Sequence, residues 1–375
     1  MKIDEIDKNF SVAKIGDEEF EFYDVLKAPF VLEGLPFGNR EGDGAPYFRV
    51  PKATMDSLSK ERGEVEAVMS LSRCTSGASV RFRAKATKIA IRYKTRESYD
   101  MNHMPRCGSA GFDLFRIVPG DTQYRFLGCV QPQNKGGDSV FSAKGEEIIA
   151  IGNGEPLDEE CEYMLNLPLY GGVEKLELGF KAEATILPPR PHRVKPICFY
   201  GSSITQGGCA SRPGNNYCSM LCRAVDAEQI NLGFSGNAWG SKAMAELINE
   251  LDLSCFVMDY DHNAPSLEHL EKTHERFFKI VREAHPELPI IMLSKCDVDH
   301  RGDDLHNRQR REIVQRTYLN ALAAGDRRVW FVDGRTLLGT EDRDACAVDG
   351  CHPNDLGFYR MFKTVLPVLQ EALKL

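Results

Sequence analysis

The sequence predicts two domains in series: an antiparallel β-sandwich of jelly-roll type, then an α/β domain doubly wound around a five-stranded parallel sheet. Three observations predict it. Apolar and polar residues alternate in short runs up to residue 187, a proline cluster interrupts that pattern, and strand-like runs then take turns with long helical ones. The 375 residues suit two cores, at about 100 to 200 residues per domain.

The first domain, residues 1–187, is built from runs such as SVRFRAK (79–85), TKIAIRYK (87–94), GFDLFRIV (111–118), YRFLGCV (124–130), EEIIAIG (146–152) and KLELGF (175–180). Their two-residue period is that of half-buried antiparallel strands, and this many short strands pack best as two facing sheets. ATMDSLSKERG near residue 53 is at most a short helix. The cluster LPPRPH (187–192) carries three prolines in four positions, so neither a helix nor a central strand can run through it. Residues 188–193 therefore read as a stiff linker, and residues 194–375 as the second domain.

There, VKPICFYG precedes a helix over 217–225, QINLGF one over 242–249, and SCFVMDY one over 267–284. PIIMLSK precedes a helix over 307–323, and RVWFVDG one over 355–373. Five repeats of strand then helix, joined by right-handed crossovers, give a parallel sheet covered on both faces.

Hydrophobic residues make up 42% of the chain and charged residues 27%, which fits a globular protein and excludes a disordered or collagenous one. The net charge of -8 provides no general field for a phosphate backbone or an acidic bilayer, so neither nucleic acid nor membrane is an expected partner. The first twenty residues carry charges every few positions and lack the apolar core of a signal peptide or a transmembrane helix, so the expected location is the cytoplasm. The twelve cysteines then read as reduced thiols, and Cys198 and Cys255 sit in apolar runs as small hydrophobes. Cys218 with Cys222, and Cys346 with Cys351, lack the CxxC spacing of zinc sites, and no metal or cofactor is expected.

In a parallel sheet of this kind, ligands gather at the carboxyl ends of the strands. The first strand runs into GSSITQG (201–207), where Ser203 at a helix start can serve as a nucleophile whose own amide faces an oxyanion. The same residues also read as a serine cap followed by a glycine loop. They match no phosphate loop, and Thr205 stands where the nucleophile elbow of α/β-hydrolases has its second glycine. Gly236 after the second strand can offer an unobstructed amide or simply make a turn, and Asn263 after the third can donate to an oxyanion or serve its own loop. In DGCHPND (349–355), Asp349 can orient the His352 imidazole as a base, with Pro353 opening the last helix; an Asp-Gly turn with a cap is the alternative. All of these positions fall at the same end of the expected sheet.

Together they resemble the SGNH hydrolases, or GDSL-type esterases. Gly201-Ser-Ser-Ile-Thr205 resembles the first block of that family, Phe234-Ser-Gly-Asn237 the second, Asp261-His-Asn-Ala264 the third and Asp349-Gly-Cys-His-Pro353 the fifth. The resemblance covers about residues 194–375 and implies a flavodoxin-like sheet. It also implies a Ser203, His352 and Asp349 triad, with an oxyanion hole from Ser203, Gly236 and Asn263. Ser202 and Ala264 stand where the family usually has aspartates. Gly111-Phe-Asp-Leu-Phe115 is similar to a segment of the β-sandwich module that precedes some SGNH esterase domains.

The resemblance implies a serine esterase that removes a short acyl group, acetyl above all, from a carbohydrate, with a small-molecule or oligosaccharide ester as partner. Acyl transfer to a small-molecule hydroxyl and a catalytically silent carbohydrate-binding protein are the alternatives. The loop Cys296 to Asp304 reads either as the acceptor side of the pocket or as a solvated acidic loop, and Arg308-Gln-Arg-Arg311 as a solvated helix face. The acyl group, the regiochemistry and the oligomeric state are not encoded in any motif.

Overall fold

A computed structural model describes residues 6, 19–38, 46–86, 89–96, 100–130, 132, 147–151, 159–296 and 305–375. The acidic loop 297–304 and, apart from Ile6, the N-terminal stretch to residue 18 lie outside the described residues.

The first half forms strands β1 (Glu21–Asp24), β2 (Val31–Glu33), β3 (Ser79–Lys85), β4 (Ile89–Thr95), β5 (Phe112–Ile117), β6 (Arg125–Val130), β7 (Glu147–Ile151), β8 (Cys161–Asn166), β9 (Val173–Phe180) and β10 (Thr185–Leu187). They build two antiparallel sheets, β1-β9-β4-β7 and β10-β3-β8-β5-β6, with β2 also on β3. Alternate residues face a shared core: Val80 and Phe82 from β3, Ile91 and Tyr93 from β4, Leu165 from β8, and Leu176 and Leu178 from β9. Phe82 pairs across the strands with Tyr163, their rings stacked 5.2 Å apart.

Two features depart from the sequence reading. The expected half-buried strands β3 and β5, and β8, which the sequence reading did not single out, are buried on both faces, because their second face packs polar residues against the rest of the chain. Arg81 Nη1 donates to Glu33 at 3.0 Å, and Arg81 also pairs with Glu162. His192, in the proline-rich segment, bridges Glu33 and Asp226 at 2.9 Å on each side. Second, the short helix expected near residue 53 is a pair, α1 (Lys52–Arg62) and α2 (Glu66–Ser72). Their Met55, Leu58 and Val68, with Val65 between them, join the core under the parallel sheet, not that of the sandwich.

The His192 bridge predicts a pH dependence of stability. Burial alone lowers the imidazole pKa, but hydrogen bonds to Asp226 and Glu33 more than offset that and raise it to about 9 from about 6.5 in the unfolded chain. The stabilisation is therefore complete below about 6.5 and lost as pH rises through about 9. Calorimetry from pH 6 to 9.5 should show the thermal midpoint falling in the wild type. In His192→Asn the midpoint should be lower at pH 6 and the fall shallower, and parallel curves would refute the bridge.

The second half follows the expected alternation. Strands β11 (Val194–Gly201), β12 (Ala227–Gly233), β13 (Cys255–Asp259), β14 (Ile290–Leu293) and β15 (Val329–Val332) form one parallel sheet in the order β12-β11-β13-β14-β15. A short α3 (Arg106–Ser109) lies in the first half. Here the helices are α4 (Ser203–Gln206), α5 (Tyr217–Val225), α6 (Lys242–Ile248), α7 (Leu267–Ala284), α8 (Leu305–Ala323), α9 (Gly334–Leu337) and α10 (Asp355–Leu373). Leu247, Phe277 and Val314 of α6, α7 and α8 cover one face, and Leu221 and Phe358 of α5 and α10 the other. No described helix is long and apolar enough to cross a membrane. The strand order reverses at β11, which opens a crevice at the carboxyl ends of β11, β12 and β13.

Candidate active site

The end of β11 tolerates no side chain. A Cβ on Gly201 would lie 2.0 Å from Thr205 Oγ1 and 2.2 Å from the Asp259 carbonyl oxygen. That close approach lets the chain turn sharply into α4, whose N-cap is Ser202: its hydroxyl accepts from the Ile204 N–H at 3.1 Å. The serine that replaces the family's aspartate thus still caps the helix. Ser203 is the first helical residue, so no carbonyl of the helix takes its N–H. Beneath it, the buried Asp259 carboxylate accepts from Tyr217 Oη at 2.7 Å and Thr205 Oγ1 at 3.0 Å.

Ser203 Oγ lies 2.8 Å from His352 Nε2, and His352 Nδ1 lies 2.7 Å from Asp349 Oδ2. The other oxygen of Asp349 accepts the backbone N–H groups of His352 at 2.7 Å and Cys351 at 3.0 Å. Partial burial alone raises the Asp349 carboxyl, but these N–H groups and the imidazole more than offset it and hold it at about 2. An ionised Asp349 accepts from Nδ1–H, which leaves Nε2 to take the serine proton. Contrary to the sequence reading, Pro353 does not open the last helix. Asn354 caps α10 by accepting from Gly357 N–H, and His352 sits in the turn ahead of it, its carbonyl accepting from Val348 N–H at 2.9 Å.

Gly236 and Asn263 complete the expected set, and both line the same cavity of ≈ 430 Å³ as Ser203 and His352. Gly236 follows β12 at φ 68°, with nothing within 4 Å of where a Cβ would stand, so its backbone and not its space selects glycine. Asn263 Oδ1 accepts from the Ala238 N–H at 3.4 Å, which leaves its amide nitrogen for the cavity. The arrangement can present a proton-relayed hydroxyl to a carbonyl carbon, with three donors for the oxygen.

Several supporting residues had no signal in the sequence. Gln206 Oε1 accepts the Ser235 N–H at 3.0 Å, and Tyr170 Oη meets Ser235 Oγ at 2.8 Å, which fixes the residue before Gly236. On the far side of that loop, Arg62 of α1 donates to the Asn237 carbonyl at 3.1 Å and lies 3.4 Å over the Trp239 ring. Arg49, fully buried, donates to the carbonyls of Asn231, Gly233 and Leu71 and packs over Phe234. Tyr170, Arg62 and Arg49 all come from the first half of the chain.

The cysteines are free thiols, with Cys218, Cys222 and Cys346 buried among apolar groups. Among the described residues, the ligand atoms of His103, Cys209 and His352 lie within 4.8 Å of one another. Both nitrogens of His352 are engaged by Ser203 and Asp349, so a metal held there would take the imidazole from the serine.

Residues 194–370 match the model of the GDSL-like lipase/acylhydrolase family, and residues 20–186 that of the N-terminus of SGNH-type esterases. A structure described as a GDSL-like lipase from Bacteroides ovatus is 27% identical, with a TM-score of 0.78 over 95% of this chain and 98% of that one. The salicylyl-acyltransferase SsfX3 from a tetracycline biosynthetic pathway is 18% identical, with a TM-score of 0.72 over 94% and 97%. An acetyl xylan esterase, Est2A of Butyrivibrio proteoclasticus, is 13% identical, with a TM-score of 0.58 over 94% and 99%. The last two are likenesses of fold. No curated protein matches the chain.

Proposed function

Residues 194–370 belong to the GDSL-like lipase/acylhydrolase family, and on that premise we propose that the protein is a serine esterase that removes a short acyl group, acetyl first, from a carbohydrate. The observation that carries this reading is the hydrogen-bonded chain from Ser203 through His352 to Asp349. As Ser203 Oγ bonds to the acyl carbon, its proton passes to His352 Nε2, and the carbonyl oxygen becomes an oxyanion held by the amides of Ser203 and Gly236 and by Asn263. The ester C–O bond then breaks, and the imidazolium gives its proton to the departing alcohol. Water attacks the acyl-enzyme as His352 takes one of its protons, and that proton returns to Ser203 as the carboxylic acid leaves.

The cavity of ≈ 430 Å³ suits a sugar unit with a small acyl group better than a long acyl chain. The likeness to an acetyl xylan esterase agrees with the proposed substrate class. Release of acetate from a panel of acetylated mono- and oligosaccharides, beside p-nitrophenyl acetate and butyrate, tests it. Sugar deacetylation that disappears with Ser203→Ala is the expected result. Activity on the aryl esters alone would overturn the carbohydrate assignment, and no activity together with no fluorophosphonate labelling of Ser203 would overturn the esterase. Transfer to an alcohol uses the same acyl-enzyme, and ester formation with an added acceptor would identify it.

A further inference from the structure

The cavity beside Ser203 is electrostatically unlike the chain around it. The protein has 55 acidic and 47 basic residues, yet among the described residues no carboxylate lines this cavity. Lys295, Arg310, His103, His262 and His306 line it together with His352. Arg310 has a structural duty there: it donates to the carbonyls of Asp261 and Ala264 and to His306 Nε2, which ties down the loop carrying Asn263. Lys295 and His262 are different.

Lys295 follows β14 on a backbone held at both its N–H and its carbonyl. Its N–H donates to Asp261 Oδ2 at 3.1 Å, and its carbonyl oxygen fills the space a side chain on Gly334 would need, 1.6 Å from that Cβ. The half-buried side chain reaches the cavity, where its charge acts on the Cys351 thiol and on His262, and also on the buried Asp261 carboxyl. The proposed acyl group, acetyl, carries no charge, so an anion that meets this ammonium belongs to the alcohol half of the ester. His262 also lines this space, and its Nε2 is, among the described residues, buried with no hydrogen-bond partner. A buried polar atom left unpaired is costly, and a ligand oxygen that reaches it recovers that cost. Burial and the neighbouring Lys295, Arg310 and His352 keep this imidazole neutral, so in its Nε2–H form it donates without adding charge.

We infer that the cavity takes esters whose alcohol half carries an anionic group, an ionised carboxylate or a phosphate, with the Lys295 ammonium as its charge partner and His262 Nε2–H as a neutral donor. This rests on the esterase reading and narrows it to acylated acidic sugars. Lys295 is a specificity residue, and its effect falls on KM more than on kcat, because it meets a charge that is equally present in the ground state and the transition state.

The test compares an O-acetylated methyl glucuronoside and an O-acetylated glucose 6-phosphate with the neutral O-acetylated methyl glucoside. In the wild type, kcat/KM should favour at least one charged ester by about tenfold, and the arm that shows the preference names the anion. Lys295→Met should bring the ratio close to one through KM, Lys295→Arg should preserve it, and added salt should shrink it in the wild type. A wild-type ratio of one or below in both arms, or a ratio that survives Lys295→Met, overturns the inference. Because the ratio is internal to each variant, a general loss of folded protein cannot mimic the result. Turnover of p-nitrophenyl acetate that depends on Ser203 separates the two levels: if it persists while the ratio is one, only the anion assignment fails, and if it is absent, the esterase reading fails.

Discussion

Ser203→Ala should lower kcat on p-nitrophenyl acetate by about a million-fold while leaving the thermal midpoint and the circular dichroism spectrum unchanged. The substitution removes one oxygen from the rim of the cavity and leaves the cap at Ser202 and the packing of Ile204 in place. His352→Ala should fall to a similar level, and the double variant no lower, since proton relay and nucleophile act as one unit. Asn263→Ala keeps that unit and removes one oxyanion donor, so its loss should be on the order of 10² to 10³ in kcat. Active-site titration with a fluorophosphonate normalises the rate of Asn263→Ala, which retains both Ser203 and His352. A Ser203→Ala preparation with measurable turnover, or an Asn263→Ala loss as deep as that of Ser203→Ala, would contradict the assigned roles.

Asp113→Ala should be the most destabilising of the single substitutions considered. Asp113, in the GFDLF segment, is fully buried and accepts from Asn166 Nδ2 at 2.9 Å in the sandwich. It also accepts from Arg212 Nη1 at 2.9 Å and from the Gly214 N–H at 2.9 Å, both in the segment that follows the nucleophile helix. Removing the carboxylate leaves a guanidinium and a backbone N–H without their partner, at a cost of about 3–5 kcal/mol. Urea unfolding should show a lower midpoint. Activity should fall too, because residues 209–216 connect the Ser203 helix to α5. Asp113→Asn should lie between, since its amide can satisfy some but not all of these donors. A wild-type midpoint for Asp113→Ala would mean that the segment is held by something else.

Much of this was legible in the sequence because the signals are local. The two-residue period of SVRFRAK and KLELGF gave β3 and β9, and the helix read over 267–284 is the one the structure forms, capped there by Ser266. The spacing Asp349 to His352 specifies a turn in which a carboxylate can reach the following imidazole, and the structure forms that hydrogen bond. Helix α2 escaped notice because its seven residues are too few to show a period, and its buried Val68 belongs to a core built mostly from residues far along the chain.

The sequence by itself determined the two architectures, their order, and which residues stand at the carboxyl ends of the parallel strands, because periodicity, caps and turns are properties of neighbouring residues. Only the tertiary structure decided what holds those residues in place and what they face. Arg49 reaches the Asn231 carbonyl across 182 positions, Tyr170 reaches Ser235 across 65, and Lys295 enters the cavity from a strand that carries no part of the Ser203, His352 and Asp349 chain. The first two contacts arise from the packing of the first half against the second and the third from the side-by-side order of the parallel strands, and no period or spacing along the chain records them.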